Sequence, residues 1–252
     1  FRRPATKDEV SLYYNFWSAV RGEYSAFEDG IRETLVAVLC SPNFIYLAEG
    51  NPEKKPKQDR EYELASRLSY FLWNGPPDEE LYNLAAKGQL ERQLGAQVER
   101  MVQDSRSWNF VTSFSNQWLK LYRHNEQAVD IGRYPQFTRY IKSDMELETY
   151  HFIDYLLQQD LSIFDMIDSD FVVINQNLAE YYGIPDVAGT EFRAVTVSAD
   201  LNRGGLLTQG SFLSGHSDGK QAHPIKRAVW MMERILGESP PPPPPNVPDL
   251  DP

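Results

Sequence analysis

The sequence predicts a mainly α protein: a multi-helix, bundle-like module with one or two short β-strands in its C-terminal third. Three observations predict it. Apolar residues recur at three- and four-residue spacing over most of the chain. Cap residues and Pro or Gly breakers bracket those segments. The short apolar run Phe171-Val172-Val173-Ile174 reads as a strand or an extended buried segment, and the alternating Phe192-Arg193-Ala194-Val195-Thr196-Val197 is expected to be a strand that pairs with it.

The elements follow in order. Thr6-Lys7-Asp8-Glu9 places an N-cap before acidic first-turn residues, where the helix dipole favours them. Val10, Tyr13, Tyr14, Trp17 and Val20 continue that helix. A second covers 28–40 and stops at Ser41-Pro42, because proline disfavours helix in the residue before it. The charged, proline-interrupted stretch 50–60 reads as a surface connection. From Glu61 a helix resumes, with Leu64, Leu68, Phe71 and Leu72 expected on one face. Pro77-Asp78-Glu79-Glu80 opens a short acidic-capped helix, and another spans 90–103. Over 108–121, Phe110, Phe114, Trp118 and Leu121 form the expected core stripe. A long helix covers 138–158. Ser162 caps a turn, Asn175 caps a helix over 176–182, and Gly183 ends it. Short helices are expected over 206–213 and 225–236, the latter closed by Gly237.

The chain has 252 residues, 41% hydrophobic and 24% charged, which describes a globular protein of one large or two modest domains. The connections divide it into 1–50, 61–158 and 159–252, or leave it one compact unit. A net charge of −11 argues against nucleic acid as a partner, since binding there needs a basic field. No apolar run reaches membrane-spanning length. The chain opens on Phe1 with no visible signal peptide, which points to processing or a boundary upstream. Its single cysteine, Cys40, forbids an internal disulfide and, within an apolar run, is expected to be a buried structural thiol. Without a CxxCH motif the chain attaches no c-type haem by its own thioethers.

Candidate chemistry is sparse. Glu148 and His151 have the Glu-x-x-His spacing of one half of a di-iron site, but no second pair accompanies them, so no metal site is expected. The bland reading is a pair on a helix surface or at a helix contact. His216 and His223 flank a polar loop, 216–227. Ser217, Asp218 and His223 are its catalytic candidates, and Arg203, Lys226, Arg227 and Trp230 its binding candidates. The alternatives are an anion site, or a cap that starts the Trp230 helix. No Gly-x-Ser-x-Gly elbow supports a hydrolase. Arg203-Gly204-Gly205 lacks the further glycines and lysine of a phosphate loop and reads as a turn. The proline run 240–245 reads as a polyproline rod, either a spacer or a ligand for an aromatic groove. Trp17, Trp73, Trp108, Trp118 and Trp230 either stack on sugars or fill core.

Taken together, these segments resemble a known family. Phe1-Arg2-Arg3-Pro4 with Ser41-Pro42-Asn43-Phe44 looks like one domain of the planctomycete-type extracytoplasmic cytochrome c proteins. Leu64-Ala65-Ser66-Arg67-Leu68-Ser69-Tyr70-Phe71-Leu72-Trp73, Phe114-Ser115-Asn116-Gln117-Trp118-Leu119 and Glu148-Thr149 look like a second. Asn177-Leu178-Ala179-Glu180-Tyr181-Tyr182-Gly183-Ile184, Arg203-Gly204-Gly205-Leu206-Leu207 and Pro224-Ile225-Lys226-Arg227 through the prolines look like a third. Ala228 departs from the pattern, where glycine is expected. The resemblance implies domains of unknown function in a periplasmic or extracellular protein, with haem c on a separate domain of the parent and no cofactor in this chain. It implies a structural or docking role beside that cytochrome c domain, supporting redox chemistry at the cell envelope. An enzyme or binding module acting on polysaccharide through the 216–227 loop is the alternative.

Overall fold

The computed structural model describes residues 2–46 and 56–241. The chain divides into two compact units, 1–107 and 108–252. Both are built mainly from helices, and β1 (Phe171–Ile174) pairs antiparallel with β2 (Arg193–Thr196), Phe171 opposite Thr196 and Ile174 opposite Arg193.

In the first unit, α1 (Lys7–Val20) starts on a complete capping box. Thr6 Oγ1 accepts from the Glu9 N–H at 3.2 Å, and Glu9 accepts from the Thr6 N–H at 2.7 Å. Arg3 grips the same carboxylate at 2.8 Å, which helps hold Glu9 down to a pKa of about 2. Next come α2 (Phe27–Leu39) and α3 (Pro42–Ile45), with Pro42 at the first helical position, where a missing N–H removes nothing. Cys40 caps α2 and is exposed, contrary to the expected buried thiol. The apolar run before it has no opposing layer: Leu35, Val36 and Leu39 are exposed as well.

The helix expected from Glu61 begins a turn earlier, as α4 (Lys57–Trp73). Its buried face is also different. Tyr62, Ala65, Ser66, Ser69, Leu72 and Trp73 go inside, whereas Phe71 is 64% exposed. α5 (Glu79–Ala86) packs along α4, with the Tyr62 and Tyr82 rings 5.0 Å apart, so the partner helix and not hydrophobicity alone selected the face. Asp78 caps α5 through the Leu81 N–H and binds Arg100 of α6 (Leu94–Val102) at 2.8 Å. Trp73 donates to the Met101 carbonyl at 3.0 Å, and the Arg106 guanidinium lies 3.4 Å from its ring centroid.

The second unit is organised around α9 (Arg139–Gln158), capped by Thr138 as expected and burying Met145, Glu148, Thr149, Phe152, Ile153 and Leu156. Against it pack α7 (Trp108–Leu119), β1, α10 (Gln176–Tyr182) and α11 (Gly210–Gly215), and the short α8 (Tyr122–Glu126) packs on α11. On α7 the fully buried stripe is Val111, Ser115 and Leu119. The expected residues Phe110, Phe114 and Trp118 flank it, half-buried, as a stacked ladder with centroids 5.2 and 5.3 Å apart. Gly204 and Gly205 sit at φ values of 143° and 70°, and a Cβ on either would run into the carbonyls of Ser169 and Ile167. That turn lowers Leu206 into the core and aims the chain at α11. Finally α12 (Pro224–Met231) runs into a wider turn, Met232–Leu236, ended by Gly237. Most of the proline run lies outside the described residues.

Candidate functional site

Three places in the chain concentrate unusual physics. The first is the 216–227 loop. An isolated β-bridge joins Ser217 to Ala222 and closes it into a small hairpin. Ser217 Oγ donates to the Ser214 carbonyl at 2.8 Å and accepts from the Gly219 N–H at 3.1 Å. Asp218 accepts the N–H groups of Gln221 and Lys220 at 2.7 and 2.8 Å, and these bonds hold its carboxyl below the usual range. Both candidates therefore shape the loop with their own backbone, as Asx and Ser turns do. His223 occupies the N-cap position of α12 without a side-chain capping bond. Lys226 is exposed and Arg227 half-buried on the first turn of that helix. Trp230 is a core residue, 2% exposed, donating to the Leu119 carbonyl at 3.3 Å and packing edge-on to Phe212. His216 is buried too, its Nδ1 held by the Phe212 carbonyl at 2.8 Å, and burial pushes its pKa down.

The second place was not anticipated from sequence. Glu148 and Thr149 sit side by side on α9, each 1% exposed, facing the 203–211 segment. Tyr182 donates its hydroxyl to Glu148 at 2.7 Å, and the Gly210 N–H points at the same oxygen at 3.4 Å. Arg203 stacks on the Tyr182 ring at 3.5 Å and donates to the Thr208 carbonyl at 3.2 Å. Thr149 bonds Gln209 and Ser211, both at 2.7 Å. Burial drives the Glu148 carboxyl up to about 7, opposed by Tyr182, Arg203 and Gly210, and lifts Tyr182 well above its ordinary range. A Cβ on Gly210 would stand 2.5 Å from the Tyr182 hydroxyl and 2.6 Å from Met145, so glycine lets α11 approach this close. The cluster ties α9, α10 and α11 together. Glu148 is thus not a helix-surface residue. It does not share partners with His151, which lies between Phe192 and Trp108 with ring centroids at 4.5 and 4.8 Å. The sequence signal was present in Glu148-Thr149, Tyr181-Tyr182 and Arg203-Gly204-Gly205, but as separate motifs.

The third place is the helical hairpin made by α1 and α2 with α3. Among its described residues only Gly30 and Ser41 are buried. Leu12 is 62% exposed, Phe27 64% and Leu35 55%, and Val10, Val36 and Leu39 are exposed as well. A tilted aromatic row, Tyr14 to Trp17 to Phe27, runs along it with centroid separations of 5.8 and 5.9 Å. An apolar surface of this kind is characteristic of an interaction face.

Family comparisons cover the chain almost end to end. Residues 60–184 match PSD4, a protein of unknown function (DUF1592). Residues 1–49 match PSD5, a protein of unknown function (DUF1595), and residues 203–252 match PSCyt3, a protein of unknown function (DUF1588). The chain belongs to the planctomycete-type cytochrome c family, as a set of its domains of unknown function. No curated protein and no solved structure matches it. The Asn177–Ile184 stretch falls within the DUF1592 match rather than in the last domain, where the resemblance had placed it. Glu148, Thr149 and Tyr182 therefore belong to DUF1592, while Arg203 and Gly210 belong to DUF1588, and the buried clasp joins the two domains. A c-type haem is bound through two thioethers, and a single cysteine, exposed Cys40, does not fit that attachment. No helix among the described residues is long and apolar enough to cross a membrane.

Proposed function

We propose that the chain is a structural and docking module of a larger extracytoplasmic haem c protein, and that the α1–α2 hairpin is its docking face. The observation that carries this reading is the hairpin's exposed apolar surface, with Leu12, Phe27 and Leu35 each more than half exposed. Burying such residues contributes about 1.5–3 kcal/mol per side chain, so a partner that covers several gains a substantial interface. The occupant we assign is the cytochrome c domain of the same parent protein, at the cell envelope, where the module supports redox chemistry by holding that domain. The polysaccharide-acting alternative ranks second, because Ser217 and Asp218 are already engaged by the loop's own backbone.

The test uses the parent's haem domain and this chain as separate proteins, with association followed by calorimetry and by the haem spectrum. A Leu12→Glu, Leu35→Glu double variant should weaken binding at least tenfold while leaving its own unfolding midpoint in place. Equal affinity for the variant and the natural chain would remove the proposed face.

A further inference from the structure

His216 carries a buried nitrogen that the fold leaves without a partner. The residue is 2% exposed and stands at the C-terminal end of α11, its ring packed on Phe212 and Trp230 with centroids 4.6 and 5.9 Å away. Its Nδ1 is held by the Phe212 carbonyl at 2.8 Å. A carbonyl only accepts, so the proton of the neutral ring sits on Nδ1 and Nε2 presents a bare lone pair. That Nε2 is buried and has no hydrogen bond among the described residues. A buried acceptor without a donor is unfavourable, which points to a donor supplied from outside the chain.

The surroundings say what kind of donor. Burial pushes His216 below its ordinary range, the Phe212 carbonyl bond opposes this, and the charges of Arg123, Lys226 and Arg227 push the same way as burial. Three cations therefore stand near one imidazole. Arg123 belongs to α8, which approaches α11 so closely that a Cβ on Gly215 would lie 3.1 Å from the His124 nitrogen and 3.5 Å from the Arg123 carbonyl carbon. Lys226 and Arg227 precede Trp230 by four and three residues, on the side of α12 where His216 packs. In a chain of net charge −11, none of the three is ion-paired to a described carboxylate. Asp218 of the same loop is taken by the Lys220 and Gln221 N–H groups. The start of α12 adds to the positive field: Pro224 has no N–H, and those of Ile225 and Lys226 find no backbone acceptor among the described residues.

We propose that the corner formed by α8, the end of α11 and the start of α12 binds a phosphate group that keeps one O–H. The phosphate hydroxyl donates to Nε2 of His216. Its charged oxygens face Arg123, Lys226, Arg227 and the N–H groups of Ile225 and Lys226. Lys226 is exposed and Arg123 and Arg227 are half-buried, so a solute reaches these cations. A neutral imidazole acceptor among cations selects a protonated oxyanion. Sulfate and a phosphate diester carry the charge but no proton, and either would set its lone pairs against that of Nε2.

The experiment is an NMR titration of the full chain with inorganic phosphate, methyl phosphate, sulfate and dimethyl phosphate at constant ionic strength, following amide and imidazole nitrogens. It is run at about pH 6.5, where a monoester still holds part of its second proton. Saturable shifts at 216 and 223–227 with inorganic phosphate, and an at least tenfold weaker response to sulfate and dimethyl phosphate, are the expected result. A response to inorganic phosphate alone assigns the free ion, and a response to methyl phosphate as well assigns the end group of a larger molecule. Arg123→Gln and Arg227→Gln should each lower phosphate affinity fivefold or more with an unchanged amide spectrum elsewhere. His216→Phe keeps a ring against Phe212 and Trp230 but removes Nε2, and should bring phosphate down to the level of sulfate. If that variant fails to fold, the preference of the natural chain and the two arginine variants still decide. Equal affinity for phosphate and sulfate would reduce the corner to a basic patch and overturn the proposal. So would no saturable shift with inorganic phosphate, or unchanged binding in both arginine variants.

Discussion

Replacing Glu148 by Gln tests whether burial governs the clasp between α9, α10 and α11. The carboxyl is fully enclosed and titrates at about 7 in the fold, against an unfolded value of 4.5. Because the folded pKa is raised, the native state holds the proton more tightly than the unfolded chain. The associated stability is fully present below pH 4.5 and is lost as pH climbs toward 7. The difference of 2.5 units corresponds to about 3 kcal/mol at 1.36 kcal/mol per unit. Glutamine keeps the shape and an acceptor for Tyr182 and Gly210 but never ionises. Urea unfolding of the natural chain and the variant at pH 5, 6, 7 and 8 should give a stability difference that grows by about 3 kcal/mol in the variant's favour. Near neutral pH this is a midpoint shift on the order of 6–12 °C. His124, His151 and His216, which burial pushes the other way, cancel in that difference because both proteins carry them. Parallel stability curves, or a carboxyl resonance that titrates near 4.5, would refute the reasoning.

The other predictions concern packing and caps. Gly210→Ala forces a methyl against the Tyr182 hydroxyl and Met145 and should destabilise the second unit by about 1–3 kcal/mol, read by chemical denaturation. Trp230→Ala empties a 2%-exposed site and should lower stability by about 3–5 kcal/mol, whereas Lys226→Ala on the exposed face should leave it within about 0.5 kcal/mol. Thr6→Ala removes half of the capping box and should cost about 1 kcal/mol, seen as faster amide exchange in the first turn of α1. Asp218→Ala frees the Lys220 and Gln221 amides; their exchange should accelerate while global unfolding stays put.

Much of the fold was legible in sequence because it is specified locally. Thr138 and Asn175 cap their helices through side-chain bonds to N–H groups three residues on, and Gly183 ends α10 at a φ of 73°. Such signals need no knowledge of the rest of the chain. The strand pair was also legible, since a short β-branched apolar run is followed by an alternating segment of matching length. Burial was read less well. Phe71 outranks Ala65 and Ser69 on any hydrophobicity scale, yet α4 buries the latter two together with Tyr62, Leu72 and Trp73, because that is the face on which the neighbouring helices pack. Cys40 failed in the same way, as its apolar run faces no second layer.

What the sequence determined by itself was therefore most of the helices and several of their caps, the turn at Gly204-Gly205 and the family. Tertiary structure alone decided that Glu148 meets Tyr182 and Arg203 across 34 and 55 positions of chain. It likewise decided that α1 and α2 keep apolar side chains uncovered. The reason is physical: caps and turns are set by neighbours three or four residues away, whereas burial, desolvation and the pKa they produce depend on which distant segment arrives at the same place.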